Sequence, residues 1–149
     1  MRKNYPVTQV YEFGCVAVAN CLVQHPPNLE RVMQAGGIEV VFSLLTKHSG
    51  VPGVQEGGFH FMNMIATHSE AAAKQILKAG GVELIIKGMK KTESNAMAQR
   101  SGCHALSGLA SMSVELATRV GKQGGLEAAT VALQKHKDHA LVQEMGCRV

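Results

Sequence analysis

Histidine and cysteine are the first residues to test for chemistry, because an imidazole or a thiolate can ligate a metal, move a proton or attack an electrophile. The chain has seven His and four Cys in 149 residues. His60 and His104 stand 44 residues apart, and Cys103 and Cys147 repeat that interval, with Cys15 two intervals before Cys103. No Cys pair has the spacing of a zinc or dithiol motif, and HExxH, GxSxG and GxxxxGK[ST] are absent. Packed helices lie about 8–10 Å apart, whereas zinc ligands approach their metal to about 2.0–2.3 Å. Two histidines on neighbouring helices therefore make no metal centre by themselves. No metal, no cofactor and no catalytic residue is expected. Cys15, Cys103 and Cys147 share their register with Phe59, so they are read as small apolar residues, and all four thiols as reduced and buried.

The recurring interval is the main signal. The glycine pairs Gly36-Gly37, Gly80-Gly81 and Gly124-Gly125 are 44 residues apart. In the same register fall Gly14, Gly58, Gly102 and Gly146; Lys3, Lys47, Lys91 and Lys135; Glu39, Glu83 and Glu127; and Gln55, Gln99 and Gln143. Apolar positions follow, with Ile38 matching Val82 and Leu126, and Cys21 matching Ile65 and Leu109. No gap is needed. The chain divides into a partial unit plus a first repeat (1–47), repeats at 48–91 and 92–135, and the start of a fourth at 136–149.

Each repeat reads as three helices. Gly58, Phe61, Met62 and Ile65 lie on one face of a long helix over about Val54–Thr67. A short helix follows over about Ala71–Lys78, ended by a glycine that takes the left-handed conformation. The next helix spans about Val82–Lys91. The counterparts are about Thr8–Val23, Asn28–Gln34 and Ile38–Lys47, then about Asn95–Ser111, Val114–Val120 and Leu126–Lys135, with a new long helix beginning near Asp138. Glycine inside a helix costs roughly 1 kcal/mol against Ala. Gly14, Gly58, Gly102 and Gly146 therefore call for a crossing element that leaves no room for a Cβ. Glu at the start of the helix after the glycine pair and Lys at its end suit the helix dipole.

A short helix, a double glycine, an apolar helix and then a longer one, carried by Ala79-Gly80-Gly81-Val82-Glu83-Leu84-Ile85-Ile86 and by the run Gln99–Ala110, resembles the armadillo repeat. The HEAT repeat is the second choice, since it usually lacks the short helix and the glycine pair. The resemblance implies an all-α, right-handed α-solenoid of three-helix repeats with period 44, cut from a longer protein of the family. It also implies that the long helices line a concave groove. In the nuclear-import receptors of this family those helices carry Trp and Asn four residues apart. The Asn position falls here on Asn20, Met64 and Gly108, and the Trp position on Val16, His60 and His104. Only Asn20 matches, so the import-receptor ladder is absent. One turn earlier stand Glu12, Glu56 and Arg100, followed by Glu144. The expected partner-binding groove is Glu12, Val16, Asn20, Glu56, His60, Met64, Arg100, His104 and Gly108. Lys47, Lys91 and Lys135 form an alternative basic edge.

Composition sets the remaining bounds. With 46% hydrophobic and 17% charged residues the chain is globular. The net charge of +4 is too small to mark a nucleic-acid binder. No apolar run is long enough for a membrane span, and the N-terminus lacks a signal-peptide pattern. The expectation is an intracellular protein, cytoplasmic or nuclear, that binds a protein or peptide segment and is not an enzyme. The alternatives are an architectural segment of a cytoskeletal or ciliary assembly and a regulatory arm of a larger multidomain protein. Apolar end repeats are expected to self-associate.

Overall fold

The computed structural model describes residues 7–22 and 25–149. The described residues form helices only: α1 (Val7–Leu22), α2 (Pro26–Gln34), α3 (Gly37–Lys47), α4 (Pro52–His68), α5 (Glu70–Lys78), α6 (Gly81–Lys91), α7 (Ala96–Ala110), α8 (Val114–Lys122), α9 (Gly125–Lys135) and α10 (Ala140–Gly146). The boundaries of α3, α6 and α9 are offset by 44 residues, as are those of α5 and α8. The expected three-helix unit is therefore present. The expected helix over Val114–Val120 runs on to Lys122.

Local chemistry sets these boundaries. The Ser69 side chain accepts from the Ala72 amide at 3.2 Å and starts α5. Ser113, one repeat on, does the same for α8 through Leu116, and Asn95 starts α7 through Ala98. Pro52 opens α4, where its missing N–H costs nothing. In each pair the first glycine has positive φ: 74° at Gly36, 84° at Gly80 and 92° at Gly124. The second glycine serves contact. A Cβ on Gly37 would meet Val32 Cγ1 at 2.5 Å, and one on Gly125 would meet Val120 Cγ1 at 2.6 Å.

The helices stack in rows. α4 packs between α1 and α7, and α7 packs on α10; α6 lies between α3 and α9. Between the rows runs one apolar core that includes Leu45, Phe59, Phe61, Ile65, Ile85, Leu106 and Leu109. The mid-helix glycines sit where the second row meets the first. A Cβ on Gly58 would lie 2.5 Å from Leu45 Cδ2, one on Gly102 the same distance from Met89 Cγ, and one on Gly146 2.6 Å from Leu133 Cδ2. The residue of matching register for Gly14 is Met1, which lies outside the described residues together with Lys3.

The aligned glutamines have a shared task. Gln55 Nε2 donates to the carbonyls of Leu45 and His48, Gln99 Nε2 to Met89 and Thr92, and Gln143 Nε2 to Leu133 and His136, at 2.9–3.2 Å. Each amide thus ties two carbonyls at the end of the preceding helix to the long helix that follows. The recurring Glu residues do more than meet the dipole. Glu83 accepts from Gln123, just past the end of α8, at 2.9 Å and Glu39 from Gln75 of α5 at 3.5 Å, tying each unit to the next.

Three apolar expectations fail. Cys21 is exposed, although its register partners Ile65 and Leu109 are buried, and Cys147 is exposed where Cys15 and Cys103 are buried. Leu126 is 53% exposed, whereas Ile38 and Val82 are buried. In α9 the buried positions are small (Gly125, Ala129 and Ala132), so Leu126 is left at the surface. The reading of all four thiols as buried therefore holds for two.

Candidate partner-binding face

The residues singled out on the long helices fall into matching stripes. Positions four apart on a helix lie on one face, so Glu12, Val16 and Asn20 on α1, Glu56, His60 and Met64 on α4, and Arg100, His104 and Gly108 on α7 form three short columns. Packing of α4 between α1 and α7 sets these columns side by side. Asn20 is exposed, Gly108 is buried, and the other seven are half-buried.

The columns differ in their chemistry. The Glu12 carboxylate lies against Gly53 in the first turn of α4, on ground that a side chain at 53 would take. A negative charge is favourable there, at the positive end of the helix dipole. Glu56 has no such seat, because Met97 occupies the register of Gly53 on α7. Burial holds the Glu56 carboxyl above the usual range; Glu12 pushes it further the same way and Arg100 opposes. Burial also holds the His60 imidazole below its usual value, with Arg100 adding to the effect. His104 is lowered by burial first, then by Arg100, His60 and Arg148, against the pull of Glu144.

The face carries a guanidinium, that of Arg100, whose charge acts on two imidazoles that resist protonation. No carboxylate of the described residues lies within ion-pair distance of Arg100, whose Nε is buried without a partner. Asn63 supports the site from below and was missed in the sequence. It is buried, and its Nδ2 lies 3.3 Å from His104 Nε2, donating when that nitrogen carries no proton. Its Oδ1 is enclosed without a partner, against Gly108 at a place where a Cβ would overlap it. Gly108 therefore makes room for Asn63 and offers no side chain to a ligand. The repeat register carried no sign of this, since Asn63 aligns with Ala19 and Ser107.

The alternative edge is less uniform than its spacing. Lys47, Lys91 and Lys135 are all exposed, but Lys135 Nζ lies 2.9 Å from Glu93 Oε1. Ser49 stands in the register of Glu93, so Lys91 has no counterpart to that pair. Away from both surfaces, Val10, Val18 and Val40 are exposed around an apolar cleft of about 370 Å³ at the α1–α3 side, and Phe13 is exposed on the same helix. At the opposite side Arg148 pairs with Glu144 across α10.

Burial pushes the Cys103 thiol up to about 11 and raises that of Cys15. No group of three His, Cys, Asp or Glu among the described residues has the geometry to hold a metal. No described helix is long and apolar enough to cross a membrane. This face carries one cation with no carboxylate in ion-pair distance among the described residues, one carboxyl held toward its neutral form, two imidazoles and a thioether.

No protein-family model matches the chain, and no curated protein matches it. Among solved structures, the crystal structure of an engineered protein superposes on 99% of the chain with a TM-score of 0.82 at 24% identity. The chain spans 56% of the length of that protein. At this identity the likeness bears on the fold, and the chain shares with that protein an all-helical architecture.

Proposed function

We propose that the chain is part of a right-handed, armadillo-type α-solenoid and that it serves as a protein–protein interaction scaffold, taking a partner segment along the groove of α1, α4 and α7. The three-helix unit, its left-handed glycine and the row of long helices support the fold reading. One observation carries the functional reading. The positions that hold the stack together keep their residue types from unit to unit, whereas the face positions change from Glu-Val-Asn to Glu-His-Met to Arg-His-Gly, seven of the nine being half-buried. A constant scaffold with a variable surface is the arrangement that repeat proteins use to recognise extended segments.

The test is selection of binding peptides from a displayed library, followed by affinity measurements on variants. Glu56→Lys, His60→Ala and Arg100→Glu should each weaken the selected peptides, the charge reversals by about tenfold or more, with unchanged thermal midpoints. Loss of binding only in the combined Lys47, Lys91 and Lys135 to Ala variant moves the site to the basic edge. The architectural reading draws on the exposed Val10, Phe13, Val18 and Val40. It expects face variants to be silent and Phe13→Ser to reduce self-association.

A further inference from the structure

The face of α1, α4 and α7 holds its charges in an order. Gly57 lets α1 and α4 approach closely, since a Cβ there would lie 2.9 Å from the Glu12 carbonyl oxygen. The Glu12 carboxylate lies over Gly53, which stands three residues before Glu56 and so on the same side of α4. Two acidic groups therefore meet at the start of α4, where Glu12 makes Glu56 harder to ionise than burial alone does.

One column on, the sign reverses. Arg100 takes on α7 the register that Glu12 and Glu56 hold on α1 and α4. None of the three belongs to an ion pair among the described residues. Beyond Arg100, Glu144 and Arg148 answer each other at 2.9 Å. Burial first, and then Arg100, holds His60 and His104 below their usual values, so the imidazoles add little charge at neutral pH. Across the three long helices the face thus reads acidic, acidic, basic.

We infer that the groove takes an extended segment in which a lysine and a glutamate stand two residues apart, the lysine over Glu12 and Glu56 and the glutamate at Arg100. This rests on the groove reading proposed above and adds to it the order of charges in the partner. Alternate residues of an extended chain point the same way and stand about 7 Å apart. Packed helices lie about 8–10 Å apart, a difference that two long side chains span. Charge complementarity selects this pair. An acidic segment would set a carboxylate over Glu12 and Glu56, and a basic one a cation over Arg100. An uncharged segment would leave Arg100, whose Nε is already enclosed without an acceptor, with no counterion.

The probes are three fluorescent synthetic peptides with alanine flanks, titrated by anisotropy against the intact chain. Their centres are lysine-alanine-glutamate, lysine-alanine-lysine and glutamate-alanine-glutamate. The mixed peptide should bind about tenfold or more tighter than either like-charged one, and its advantage should shrink as salt rises. Arg100→Glu should transfer the preference to the lysine-only peptide, and Glu12→Gln/Glu56→Lys to the glutamate-only one. Misfolding would lose all three peptides and cannot transfer a preference. Should Arg100→Glu fold poorly, Arg100→Gln should erase the advantage of the mixed peptide over the lysine-only one. A like-charged peptide bound as tightly as the mixed one by the wild-type chain overturns the inference, as does the absence of measurable binding. Equal affinities that all fall with His60→Ala overturn the charge order alone and leave the groove standing. A preference for the mixed peptide that persists unchanged in both charge variants overturns the order and the groove together.

Discussion

Replacing Gly58 by alanine brings two known effects into opposition. Alanine is the better helix former by about 1 kcal/mol, so at an open site the change stabilises. At Gly58 the new methyl would sit 2.5 Å from Leu45 Cδ2 and 2.8 Å from its Cγ, where ordinary contact begins at 3.4 Å. Leu45 is fully buried, so it cannot swing into solvent. Overpacking of this kind costs about 1–3 kcal/mol, and the net effect should be a destabilisation of about 1 kcal/mol. All the close atoms lie beyond Cβ of Leu45. The change Leu45→Ala, which alone should cost about 2–5 kcal/mol, therefore removes the clash. In that background Gly58→Ala should stabilise by about 1 kcal/mol, giving a coupling of about 2 kcal/mol across the cycle. Urea unfolding followed by far-ultraviolet circular dichroism measures all four proteins, and thermal midpoints should move by about 2–4 °C per kcal/mol. An effect of the same sign and size in both backgrounds would refute the claim that helix crossing demands this glycine. The cost at Gly102 should be smaller, because the side chain it meets, Met89, is unbranched and adapts more easily.

The two half-buried histidines and the thiols make further predictions. His60 and His104 hold protons more weakly folded than unfolded, so their contribution is complete above about pH 6.5 and is lost as pH falls through their lowered values. Urea midpoints should therefore drop between about pH 7.5 and 5.5, and His60→Gln with His104→Gln should flatten that slope; an unchanged slope would assign it to other groups. Glu56 acts with the opposite sign in a lower window. Its raised carboxyl favours the folded state at acid pH, and that contribution is lost as pH rises through the raised value. In native protein, a chromogenic disulfide reagent should modify Cys21 and Cys147 quickly and Cys15 and Cys103 only on unfolding, since at about pH 8 roughly one Cys103 in a thousand is a thiolate. Four equal rates before unfolding would show that α1 and α7 open freely.

Fold was legible in the sequence wherever a residue type answers to one physical demand. A glycine needed for positive φ has few substitutes, so Gly36, Gly80 and Gly124 marked three helix junctions from sequence. The crossing glycines were legible for the same reason, as Leu45, Met89 and Leu133 leave no space for a Cβ. The glutamine register was visible but mute. Its meaning depends on carbonyls ten and seven residues earlier in the chain, brought back by the turn between helices. Burial at the thin parts of the stack was not legible. Leu126 has the right type and register, yet the small residues of α9 leave it outside.

The candidate face was legible as positions but not as energetics, and the difference lies in neighbours from other helices. Glu12 and Glu56 are the same residue in the same register, yet one carboxylate rests on the start of α4 over Gly53 while the other is held toward its neutral form. Burial and the neighbouring Glu12 hold Glu56 there, and the register of Gly53 on the adjacent helix is taken by Met97. His60 and His104 are likewise a register pair with different surroundings. Only His104 has Asn63 beneath it, and Asn63 fits only because position 108 is glycine. In a stack of near-identical units the backbone geometry is nearly constant, so differences in proton affinity or exposure must come from exchanges between neighbouring units. The same logic applies between α6 and α9, where Phe42, Leu84 and Lys87 of the preceding unit pair give way to Ile86, Ala128 and Val131. A residue compared with its counterpart one unit away acts as an internal control, and side chains that break register together mark where the surroundings of one unit differ from those of the next.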